Sequence, residues 1–93
     1  YKLQIKIDVS EALVVLKNSN MTNEELQIKI KRTGSNIYKF RTALKISVKS
    51  LAFELGISEK RMRNVTYGNA ELKLSELLIL SDYLGVTLDD LVN

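Results

Sequence analysis

The residues with the greatest capacity for chemistry in this 93-residue chain are cationic, and they are gathered in its middle third. Residues 29–63 carry ten Lys or Arg against two Glu, a net of +8, whereas residues 1–28 and 64–93 are net −1 and −4. A concentrated basic segment is the footprint of a surface that faces phosphate, because neutralising phosphates releases counterions. Charge alone fits an ordinary solvated face equally well. At its end, Lys60 and Arg63, with Asn64 just beyond, add donors able to bond to planar acceptors. The chemistry missing from the sequence is as informative. Without Cys or His, disulfides, thiolate or imidazole metal sites, Cys nucleophiles and the commonest general base are all excluded. The carboxylates show no metal-loop spacing and no Gly-rich phosphate cradle is present. The expectation is therefore a protein that is not an enzyme and uses no cofactor and no metal.

These side chains need elements to position them. The apolar share of 45 % is that of an ordinary globular domain, and no run approaches the ~20 apolar residues of a membrane span. Tyr1 to Asp8 has the pattern of neither a signal peptide nor a transit peptide, so no membrane partner and a cytoplasmic location are expected. Tyr1 to Ile7 alternates apolar and polar residues, which predicts a short strand with a helical continuation as the alternative. Asp8 with Glu11, and Thr22 with Glu25, have capping-box spacing. They predict helices over about 9–18 and 22–32, the second directing Leu26 and Ile30 inward. Thr33-Gly34-Ser35 reads as a break, after which Ile37, Phe40, Ala43 and Leu44 recur at helical spacing to about Lys45.

The following stretch is the most specific. Ser47 caps a short helix with Leu51, Ala52 and Leu55 inward, Gly56 ends it, and Ser58 caps a second helix over about 58–67 with Met62 and Val65 inward. Ala52 is small where two helices cross, Gly56 can adopt the left-handed backbone that turns the chain, and Ile57 fills the corner. Two helices joined by so short a turn make a helix-turn-helix. Leu74, Leu77, Leu78, Leu80 and Leu84 continue as a further helix to Gly85, and Thr87 caps a last turn with Leu88 and Leu91.

From Asn36 to Val92 the order and spacing of these elements resemble the Cro and lambda-repressor (XRE) helix-turn-helix family without a gap. Asn36 to Arg41 is similar to the family's first helix, Leu77 to Val86 to its fourth and Thr87 to Leu91 to its closing turn. The resemblance implies an all-α, five-helix bundle over 36–93, preceded by an N-terminal extension over 1–35. It further implies a protein that binds double-stranded DNA sequence-specifically, a transcriptional regulator of repressor-like kind acting as a homodimer.

At 100° per residue, with Met62 set at 0°, the buried direction of the second helix lies near 330°. Lys60, Arg63, Asn64 and Tyr67 then fall between about 100° and 200°, on the opposite stripe. The resemblance adds Glu59, so the expected base readers are Glu59, Lys60, Arg63 and Asn64 in the major groove. Expected phosphate contacts are Ser47, Lys49, Arg61 on the flank of the helix, Tyr67, Asn69 and Lys73. Two positions depart from the family. Val48 stands where Gln is frequent, and Glu59 repels phosphate unless it accepts from a cytosine amino group. Both suit the alternative reading, a module of this fold that binds a protein instead, as an antitoxin, phage inhibitor or regulatory partner does.

The motif also aligns with residues 22–40 on a shift of 25. Thr22 matches Ser47, Leu26 matches Leu51, Ile30 matches Leu55, Thr33 matches Ser58, Ile37 matches Met62 and Phe40 matches Val65. Gln27 and Lys31 occupy the places of the small crossing residue and the turn glycine. Two readings follow: a plain helical extension, or a degenerate first helix-turn-helix that makes one chain an internal pseudo-dimer.

Overall fold

The computed structural model describes residues 21–93, which form five helices and no strand. They are α1 (Asn23–Ala43), α2 (Val48–Leu55), α3 (Glu59–Thr66), α4 (Leu74–Leu84) and α5 (Leu88–Val92). The strand expected over 1–7 and the helix over 9–18 lie outside the described residues.

Side chains set most of the helix starts. The N–H groups of the first turn have no partner inside a helix, and a flanking hydroxyl supplies one. Thr22 accepts from the Glu25 N–H at 3.1 Å, and Ser47 from the Ser50 N–H at 3.0 Å. Ser58 accepts from the Arg61 N–H at 3.0 Å. Thr87 and Asp90 cap each other reciprocally at 3.0 Å. At the start of α4 the bond comes from inside the helix, where the Glu76 carboxylate accepts from the Lys73 N–H at 2.8 Å. Ser58 fixes where α3 begins, so Ser58→Ala is expected to lower stability by about 1 kcal/mol, read as a reduced urea midpoint with an unchanged slope.

The core is a single cluster made of Ile37 from α1, Leu51, Ala52 and Leu55 from α2, Met62 and Val65 from α3, Leu80 and Leu84 from α4, and Leu91 from α5. α2 packs against α3 and α4, while α1 spans the other side and packs against α3 and α5. Gly56 makes the α2–α3 corner at φ 68°, in the left-handed region that costs a Cβ-bearing residue about 1 kcal/mol or more. Ile57 and Val48 are half-buried against the core.

Several expectations for residues 22–45 are overturned. Thr33-Gly34-Ser35 does not break the chain, and the helices read as 22–32 and 36–45 are one 21-residue helix. Gly34 is buried in the middle of α1, and a Cβ there would stand 2.3 Å from the Val65 carbonyl oxygen and 2.8 Å from that of Thr66. It is glycine because two helical backbones meet at that point. Thr33 keeps its hydroxyl within the helix by donating to the Lys29 carbonyl at 2.7 Å. Continuous helix through Lys31 also removes the turn that a helix-turn-helix over 22–40 requires, so the degenerate repeat is not formed. Leu26, expected to point inward, is 41 % exposed, and Leu44 lies outside α1 as its exposed C-cap.

The part of α1 before Ile37 is fastened to the other end of the fold. The Asn36 side chain donates to the Leu91 carbonyl at 2.9 Å, and Lys29 donates to the Asn93 side chain.

Candidate nucleic-acid interface

α3 is seated by Met62 and Val65, which are almost completely buried. That face fixes the other. Lys60, Arg63 and Tyr67 are exposed, as the helical projection predicts, Glu59 is exposed too, and Asn64, expected on the same stripe, is half-buried. Glu59 lies 3.7 Å from Arg63 one turn on, with about half of each side chain in solvent (49 % for both). A pair so exposed is worth less than about 1 kcal/mol and gives way readily to a better partner. The stripe thus joins a neutral amide, two cations and one carboxylate, a set able to donate to and accept from the edges of bases.

The expected phosphate-contacting residues sit on the elements before and after α3. Ser47 and Lys49 are exposed at the start of α2, whose first turn carries no acidic residue, so the partial positive charge of the helix end is uncompensated there. Val48 between them turns partly into the core, which accounts for an apolar residue at this position. After α3, Tyr67 is the C-cap and is 68 % exposed. The loop beyond is held by the Asn69 N–H donating to the Asn64 carbonyl at 2.9 Å. Asn69 and Lys73 are exposed.

Arg61 is committed elsewhere. Its two terminal nitrogens reach Glu76 on α4 at 2.6 and 2.9 Å, and one also donates to the Glu71 carbonyl at 3.0 Å. Those hydrogen bonds hold the Glu76 carboxyl below the ordinary glutamate value against the opposing pull of burial, with help from the Lys73 N–H. The guanidinium is shifted further upward by the same contact. Arg61 therefore ties α3 to α4. Sequence reasoning did not single out Glu76, for no local pattern links residues fifteen positions apart.

Among the described residues no group of three or more His, Cys, Asp or Glu could hold a metal ion, and no helix is long and apolar enough to cross a membrane.

A short turned pair of helices, the second seated on the first and presenting a basic polar stripe, defines a helix-turn-helix DNA-binding regulator. The chain belongs to the helix-turn-helix family, whose model matches residues 37–91. It is also similar to the crystal structure of the restriction-modification controller protein C.AhdI from Aeromonas hydrophila. The two share 26 % identity with a TM-score of 0.61, over 67 % of this chain and 94 % of that one. No curated protein sequence matches the chain.

Proposed function

We propose that this protein binds double-stranded DNA sequence-specifically as a controller-type transcriptional regulator, with α3 in the major groove and one copy on each half of a two-part site. The observation that carries the proposal is the polar stripe of α3, opposite its buried Met62–Val65 face. Arg63 and Lys60 donate to guanine edges, Asn64 reads adenine, and Glu59 accepts from a cytosine amino group. Ser47, Lys49, Tyr67, Asn69 and Lys73 hold the flanking phosphates and fix the register. A homodimer follows from surface economy, since one module of this size covers too little DNA for tight specific binding. A cytoplasmic location, where DNA is within its reach, is part of this reading.

Fluorescence-anisotropy titration against random-sequence and upstream-region duplexes at two salt concentrations tests this reading. Wild type is expected to bind with steep salt dependence. The Lys60→Ala/Arg63→Ala double variant is expected to lose about 30-fold or more on its preferred duplex, from two base contacts worth about 1–3 kcal/mol each. Absence of binding by wild type at low salt would overturn the proposal and favour a protein partner.

A further inference from the structure

The first fourteen residues of α1, Asn23 to Asn36, precede the stretch that matches the family, yet Gln27, Ile30 and Lys31 among them lie beside the loop that follows α3. Two backbone contacts fix this. α1 crosses the C-terminal end of α3 at Gly34. One turn earlier it touches the loop, where a Cβ on Gly68 would stand 2.8 Å from Lys31 Cγ and 3.1 Å from Lys31 Cα. The stem of Lys31 is thus laid along Gly68, the residue after Tyr67, and its exposed end is free to project. Among the described residues Lys31 makes no ion pair. Beside it is a polar recess of about 340 Å³ lined by Gln27, Lys31, Gly68, Asn69 and Glu71, with Ile30 and Ala70. Gln27 stands one turn from Lys31 on the same face of α1.

We infer that Lys31 on the extended first helix, together with Asn69 across the recess, binds a backbone phosphate of the DNA beside the site read by α3. The inference rests on the DNA-binding reading above. The ammonium supplies the charge, the Asn69 and Gln27 amides supply neutral donors, and Glu71 is the one group in the recess that opposes an anion. The extension therefore widens the footprint of the domain without touching a base. It adds affinity with no sequence information.

The test is the slope of log Kobs against log salt for a random-sequence duplex, measured by anisotropy for five proteins. Lys31→Gln keeps the stem against Gly68 and removes the charge, so its line is expected to be flatter than that of wild type by about 0.9, the loss of one phosphate contact. Lys31→Arg keeps the wild-type slope. Glu71→Gln binds more tightly than wild type at low salt. Lys29→Gln removes an equal charge from the opposite side of α1, where Lys29 meets Asn93, and leaves the slope unchanged. A wild-type slope in Lys31→Gln, or an equal loss in Lys29→Gln, overturns the role of Lys31 and leaves the DNA-binding reading standing. A wild type that does not bind the duplex at low salt overturns both.

Discussion

Replacing Gly34 with alanine is expected to cost about 3 kcal/mol of stability, lowering the melting temperature by roughly 10–20 °C. At an exposed position in the middle of a helix the same change would stabilise by about 1 kcal/mol, because glycine is a poor helix former. Here the sign reverses. The added methyl meets the Val65 and Thr66 carbonyl oxygens at 2.3 and 2.8 Å, and these are backbone atoms that no rotamer change can move. Relief requires α1 and α3 to separate, which opens the contact between Ile37 and the residues that seat the reading helix. Thermal melts of the wild type and Gly34→Ala, read together with DNA affinity, check this. A stabilised variant would mean that the two backbones are not in contact.

The second large effect concerns the pair that joins α3 to α4. Glu76 is only 8 % exposed, and in Arg61→Ala its carboxylate loses both guanidinium bonds while staying largely buried. The expected cost is about 2–3 kcal/mol near neutral pH, less than for a fully buried pair because a third of the Arg61 side chain reaches solvent. The pH dependence gives the distinguishing sign. In wild type the folded Glu76 carboxyl lies below its unfolded value, so its stabilising contribution is complete above the unfolded value and is lost as pH falls through the folded one. Without Arg61 the largest cause of that lowering is gone, and the opposing pulls of burial and of Lys73 bring the carboxyl back toward its unfolded value, so it has less stability to lose on protonation. The stability gap between wild type and Arg61→Ala is therefore expected to narrow as pH falls from about 7 to about 3. Denaturant melts at several pH values measure the gap. A gap independent of pH would show that the carboxylate does not carry the effect.

Residues 47–91 were legible in the sequence because their decisive signals are local. Ser47, Ser58 and Thr87 each cap the helix that follows within three residues, and Gly56 marks its corner by a backbone need that hardly another residue meets. The reading stripe was legible for the same reason, since burying Met62 and Val65 dictates which side of so short a helix faces out. Gly34 shows the limit. Between threonine and serine it has the composition of a loop, and what it serves is an α3 backbone more than thirty positions away. Arg61 shows the same limit from the other side. Its angle on the helix put it on the flank of the stripe, within reach of phosphate, but only the fold reveals that Glu76 stands on that flank. Lys31 drew attention only as a mismatch in the shifted motif, because the family's own pattern begins after it.

The fastening of α1 to α5 has a consequence for how the protein is made. α1 is among the first of the described segments to be synthesised, and its partners Leu91 and Asn93 are among the last, 55 and 64 positions later. Closing so long a loop costs entropy before any contact rewards it. On the ribosome α1 can meet α3 as soon as residues 59–66 have emerged, but its ties to Leu91 and Asn93 must wait until residues 88–93 follow. The fastening of the brace behind the reading helix is thus its last part to be set, and a nascent chain that stops short of α5 holds α1 on α3 alone.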